Sequence, residues 1–231
     1  RFIPHANETY SATAHMYDLS PSFYASKTFL DTSSASAPRR ILWGWLVMFA
    51  PYPPAKWQGV QAVPRVVTYV EGQGALLPAL TTYPIPALTR LRTNHSGVSR
   101  MAVPANTTLL YDQVDNARFL DVVVRFDPPV PNDETCGVRV QWENDTEYTD
   151  VLVPRGTVDL RILVDSFVVE VFYDHGRSVR TTLKPLNGGG RNKLAFFNKG
   201  NGSTGGDCIF TRVDVWNMQP MGFEAYESVR V

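Results

Sequence analysis

Cysteine, histidine and charge imbalance are all scarce in this sequence, and each scarcity removes a class of function. There are two cysteines, Cys136 and Cys208, and four histidines, with no CxxC or HxxxH spacing, so no metal-ligand motif or dithiol redox motif is present. Lys+Arg and Asp+Glu both number 22, and the net charge of zero argues against a surface that tracks phosphates by counterion release. No apolar run approaches the roughly 20 residues that span a bilayer as a helix. The richest such patch, residues 42–54, is broken by Gly and Pro. Nothing in the sequence requires a metal or a cofactor.

Helical periodicity is missing as well. Short runs of Val, Ile, Phe, Tyr and Thr alternate with period 2 and are separated by Gly, Pro, Asn and Asp, which is the pattern of an all-β chain. The clearest strands are 41–45, 65–70, 119–126, 137–142, 159–164, 168–173, 193–198 and 212–217. In the segment LRILVDSFVVEVF apolar residues occupy both parities, which predicts a turn or bulge near Asp165-Ser166. The glycine-rich NGGGRN at 187–192 lacks the strand-to-helix setting of a phosphate loop and reads as a hairpin loop. Composition changes near residues 92–104. Upstream segments are aromatic and Pro-rich, whereas downstream strands recur at the spacing of two packed antiparallel sheets.

At 231 residues the chain can bury one large core or two modest ones. It begins at Arg1 without an initiator Met or a signal-peptide pattern, which leads us to expect a mature chain or a piece of one. Five asparagines lie in N-x-Ser/Thr sequons: Asn7, Asn94, Asn106, Asn144 and Asn201. Together they point to a secreted glycoprotein, extracellular, vacuolar or at the cell surface. In that compartment a lone pair of cysteines forms a disulfide more often than a metal site.

Candidates for chemistry are thin. Asp165 and Glu170 are five apart, which in one regular strand places them on opposite faces and disfavours a carboxylate pair. Asp18 and Asp31 flank an aromatic segment, where a strand-end Asp is ordinarily a turn former. The histidines, His5, His15, His95 and His175, sit in polar or loop-like settings, and His175 in YDHGR reads as a hairpin turn. The aromatics Tyr24, Trp43, Trp45, Tyr52 and Trp57 cluster in neighbouring elements, as core filling or as a platform for the apolar faces of sugars.

Four segments carry a resemblance: YASKTF (24–29), RRILWGW (39–45), GVQAVPR (59–65) and LRILVDSFVVEVF (160–172). Weaker echoes, RFIP, LTRLR, EYTDVLV and VDVWNM, fill the gaps in order. Together they are similar to the later part of glycoside hydrolase family 32, which contains invertases, inulinases and fructan hydrolases. The resemblance implies the last part of a five-bladed β-propeller over residues 1–98 and a β-sandwich over 99–231. It also implies a retaining hydrolysis of sucrose or fructan by a β-fructofuranosidase.

That family uses three acids, in WMNDPN-like, RDP and EC-like motifs, and none of these motifs occurs here. The catalytic acids are therefore expected on a separate N-terminal chain carrying the earlier blades, with this chain inactive alone. The alternative is a non-catalytic carbohydrate-binding or structural glycoprotein of the same family. By resemblance Trp45 faces the sugar pocket with Tyr24 beside it, and Ser26, Lys27 and Trp43 stand behind them or in the blade core. Leu46-Val47-Met48-Phe49 and the short link between Val153 and Leu160 depart from the plant-type pattern. Cys136 and Cys208 are expected to bridge strands of the sandwich.

Overall fold

The computed structural model describes residues 17–33, 37–47, 59–71, 79–126, 135–141, 148–153, 156–183, 192–200 and 206–220. His5, His15, Tyr52, Trp57, Asn7, Asn144, Asn201 and most of the NGGGRN loop lie outside them. Among the described residues no helix is long and apolar enough to cross a membrane.

The first sheet is an antiparallel meander of β1 (Phe23–Asp31), β2 (Arg39–Leu46), β4 (Arg65–Val70) and β5 (Ala79–Pro84), with a two-residue β3 (Val60–Gln61) added to β2. This is the form of a propeller blade, in which each strand is joined to its spatial neighbour. A 3₁₀ segment, Pro86–Leu91, leads out of it, with proline at its start where a missing N–H costs no hydrogen bond.

The remaining strands form a sandwich. Its six-stranded sheet contains, in spatial order, β14 (Ser178–Leu183), β13 (Val168–Tyr173), β12 (Asp159–Asp165), β9 (Phe119–Arg125), β17 (Arg212–Met218) and β6 (Arg92–Val98). Opposite lies a four-stranded sheet of β11 (Tyr148–Leu152), β10 (Cys136–Gln141), β15 (Lys193–Asn198) and β8 (Thr107–Leu110). A two-stranded ribbon, β7 (Met101–Val103) with β16 (Cys208–Phe210), completes it. β6 pairs with β17 from Arg92 to Val98, so the sandwich sheet starts at Arg92, within the 92–104 stretch where the composition changes. The sequence RTNHSGV is too polar to announce itself as a sandwich strand, because it runs along an edge where few of its side chains enter the core.

Both parities of LRILVDSFVVEVF are buried because the segment is a hairpin. Ser166 adopts a left-handed φ of 55° and the chain reverses between β12 and β13. Leu160, Ile162 and Val164 on one strand and Val169 and Val171 on the other enter the sandwich core with Val122, Val138, Phe196 and Phe210. Leu163 and Phe172 face the other way and meet Tyr83, Ile85 and Leu88 from the blade side. The hairpin tip adds Phe167 and Val168, which pack on Leu46 and Ala62. One apolar hairpin therefore serves two cores, which joins the blade to the sandwich. Cys136 and Cys208 form a disulfide linking β10 to β16, with Cα atoms 5.8 Å apart, as expected from the sequence.

At the centre of the blade–sandwich contact the guanidinium of Arg65 is fully buried. Its Nη2 donates to Asp18 Oδ2 at 2.8 Å and to Glu170 Oε2 at 2.6 Å. Glu170 Oε1 accepts the Val63 N–H, and Asp18 accepts both the hydroxyl and the N–H of Thr181. The rings of Phe23 and Phe172 lie within 4.7 and 5.1 Å of the same guanidinium. Burial pushes the Glu170 carboxyl upward, and Arg65 and the Val63 N–H pull it back. Two carboxylates, one cation and a set of hydrogen bonds make up a dry joint whose parts come from both units.

A second joint runs through Arg161, which is bidentate to Asp121 at 2.9 and 2.7 Å, while Arg92 holds the same carboxylate at 2.7 Å. Arg161 also lies 5.4 Å from the ring of Tyr83 on β5. The blade is thus fixed against one face of the six-stranded sheet, and among the described residues its opposite face is uncovered.

Candidate functional site

The free face of the blade carries the aromatic cluster. Along β2 the side chains alternate, so Trp43 and Trp45 project on one side while Gly44 and Leu46 turn inward. The two indoles are 38% and 39% exposed. Gly44 is required by packing, because a Cβ there would meet the Phe23 ring at 2.2 Å.

On the neighbouring strand a bulge decides which residues join them. Tyr24 is opposite Trp45 and Lys27 is opposite Trp43, so two residues of β1, Ala25 and Ser26, face the single Gly44. Ala25 takes a positive φ of 46° at this point. Residues three apart in a regular strand lie on opposite faces, and the extra residue brings Tyr24 and Lys27 to the same one. Trp45 is further set by Gly59, whose φ is +83° and whose added Cβ would stand 2.1 Å from the indole nitrogen. Gln61 faces Trp45 across β3 and donates to the Gly44 carbonyl at 3.0 Å.

The result is an open groove lined by Lys27, Thr28, Phe29, Trp43 and Gln61, with Trp45 and Tyr24 alongside. Lys27 and Trp43 both line this groove, and Trp43 is as exposed as Trp45. Ser26 is exposed on the bulge. Such a surface offers flat apolar faces beside an ammonium and a carboxamide, which suits the apolar faces and hydroxyls of a sugar. Among the described residues no carboxylate lines it.

The acids considered from the sequence are engaged elsewhere. Asp31, at the end of β1, accepts the Ser33 N–H and the Arg39 guanidinium, which hold its carboxyl down at about 2. Asp18 forms a short turn with the Ser20 N–H besides binding Arg65. Asp165 and Glu170 prove to share a face of the sheet, contrary to the expectation for one strand, because the turn between them makes two strands and Glu170 lies opposite Leu163. They still do not form a catalytic pair, since both oxygens of Glu170 are taken by Val63 and Arg65.

Of the histidines, His175 lies in the β13–β14 turn as expected, bonded to Asp159 at 2.6 Å. His95 bonds Asp214 at 2.9 Å and stacks on Trp216. Neither stands in the groove. Among the described residues no group of three or more His, Cys, Asp or Glu could hold a metal ion.

Comparison with known proteins decides what this arrangement belongs to. The sequence model "Glycosyl hydrolases family 32 C terminal" matches residues 89–217, and that of the "family 32 N-terminal domain" matches residues 2–79. This chain belongs to glycoside hydrolase family 32. Acid beta-fructofuranosidase 2, vacuolar, of a Rosa hybrid cultivar is 33% identical over 107 residues, 45% of this chain and 16% of that protein.

Among solved structures, fructan 1-exohydrolase IIa of Cichorium intybus superposes with a TM-score of 0.67 at 18% identity, covering 88% of this chain and 49% of its own. The fructofuranosidase of Schwanniomyces occidentalis complexed with fructose gives 0.60 at 14%, covering 87% and 49%. This family 32 chain therefore spans about half or less of the length of these relatives. Its fold is theirs in part: the last part of a β-propeller followed by a β-sandwich.

Proposed function

We propose that this chain is the C-terminal part of a secreted β-fructofuranosidase that hydrolyses sucrose or fructan with retention, its catalytic carboxylates residing on a separate N-terminal chain. The observation that carries the reading is the groove of β1 and β2, which has aromatic walls and polar tips and, among the described residues, no acid, in a chain whose sequence matches both parts of a hydrolase family. The two matched parts are separated by residues 80–88, which overlap the start of the 3₁₀ segment Pro86–Leu91.

In the assembled enzyme a carboxylate attacks fructose C2, a carboxylic acid protonates the departing oxygen, and water then releases fructose from the covalent intermediate. This chain's part is to bind and orient. Trp45 and Tyr24 pack on the apolar sugar face, Lys27 and Gln61 reach its hydroxyls, and the rigid joint at Arg65 holds this wall in register with the acids.

Replacing Trp45 with Ala in the complete protein should lower kcat/KM for sucrose by roughly tenfold or more, since a lost aromatic contact is worth about 1.4 kcal/mol with its area. The thermal transition of the sandwich should not move. Unchanged kinetics would remove Trp45 from the pocket. Tight fructose binding by this chain in a particle without hydrolytic activity would favour a non-catalytic carbohydrate-binding protein instead.

A further inference from the structure

Both sheets of the sandwich end in an open strand on the same side. β6 is the last strand of the six-stranded sheet and β8 the last of the four-stranded one, and neither pairs further among the described residues. The Tyr111 hydroxyl, just beyond β8, donates to Ser96 Oγ of β6 at 3.2 Å and ties the two edges together. Open edges invite pairing with another chain and are ordinarily blunted by lysine, proline, charge or bulges. β8 reads Thr-Thr-Leu-Leu, without a charge, and its Leu110 is 59% exposed.

The two sequons among the described residues fall on these two edges. Asn94 is the unpaired residue of the bulge in β6, since Thr93 and His95 pair with adjacent Asn217 and Trp216. Asn106 immediately precedes β8 in the turn after β7. Both are exposed and both take left-handed φ values, 41° and 54°. Neither side chain has a partner among the described residues. Asn116 and Asn198, which are outside sequons, are tied into the fold by side-chain hydrogen bonds.

We propose that Asn94 and Asn106 carry N-linked glycans and that the pair shields this open side of the sandwich. Transfer joins Asn Nδ2 to C1 of an oligosaccharide carried on a polyprenyl diphosphate. The C1–O bond breaks, the lipid diphosphate leaves with its electron pair, and the amide gives up one proton. The inference rests on the secretory reading above. The buried disulfide supports it independently, because disulfides form and persist in the oxidising compartments of that route. A bulky, hydrated glycan on an edge does what a lysine there would do, by excluding a second strand.

The test is peptide mapping of all five sequons in the native full-length protein after treatment with a peptide amidase in heavy-oxygen water, which marks each formerly glycosylated Asn as Asp. Marking at Asn94 and Asn106 is expected, and its absence at both overturns the site assignment. Marking confined to Asn7, Asn144 or Asn201 would leave the secretory reading standing while this inference falls.

Shielding is tested on the folded protein by trimming its glycans to a single sugar and following light scattering with concentration. The expected result is at least a twofold rise in weight-average mass at unchanged thermal transition, and an unchanged mass overturns the shielding role. The Asn94→Gln/Asn106→Gln protein should behave like the trimmed one.

Discussion

Replacing Arg65 with Met isolates the joint between blade and sandwich. The change keeps most of the buried volume but removes the one cation between Asp18 and Glu170, both of which are almost inaccessible to solvent. Breaking a buried pair from one side costs about 3–5 kcal/mol, because the remaining charge stays desolvated. Loss of the two ring contacts adds about 1 kcal/mol, and the better packing of an apolar side chain offsets a similar amount, leaving about 4 kcal/mol. With a urea dependence of about 2 kcal/mol per molar, the unfolding midpoint should fall by about 2 M at pH 7.

The deficit should also depend on pH. Without Arg65 the Glu170 carboxyl, already raised by burial, loses the cation that pulls it back, so it binds a proton more tightly in the folded state than in the unfolded chain and stability recovers as pH falls from 7. A midpoint shift below about 0.5 M, or a deficit that does not shrink on acidification, would refute the reasoning.

The Cys136→Ala/Cys208→Ala protein loses a crosslink closing a 72-residue separation, worth about 4 kcal/mol of unfolded-state entropy, and should show that loss in urea titration. Gly59→Ala places a methyl against the Trp45 indole in a backbone conformation that alanine resists, so on the proposed function it should lower sucrose turnover of the complete enzyme by roughly tenfold, the same loss expected of Trp45→Ala. In the unaltered protein the Glu170 carboxyl is raised above its ordinary value of 4.5, so its contribution is largest below that pH and declines as pH rises through the folded value. Glu170→Gln should therefore flatten the decline in unfolding free energy as pH rises above 4.5, measured by titration at several pH values.

Strands with strong alternation were legible from the residues alone. The ranges 65–70, 168–173 and 193–198 coincide with β4, β13 and β15, and the turn at Asp165-Ser166 follows from apolar residues on both parities. What eluded the pattern depends on partners distant in sequence. Arg65 meets Asp18 across 47 residues and Glu170 across 105, so nothing local marks any of the three as buried. The bulge at Ala25 and Ser26 is equally silent, since neither residue favours a positive φ, yet it decides that Lys27 and Trp43 share the groove with Trp45. β6 is missed because a polar edge strand shows little apolar alternation, and it is fixed by pairing with β17 instead.

The central claim is that this chain supplies a wall of the sugar pocket while another polypeptide supplies the acids. The most direct test sequences the peptides of the native particle containing this chain and measures fructose released from sucrose by the same fraction, beside the isolated chain. The account predicts a second polypeptide bearing the three acidic motifs, fructose release by the particle, and none by this chain alone. Hydrolysis by the isolated chain, or an inactive native particle containing this chain only, would contradict it.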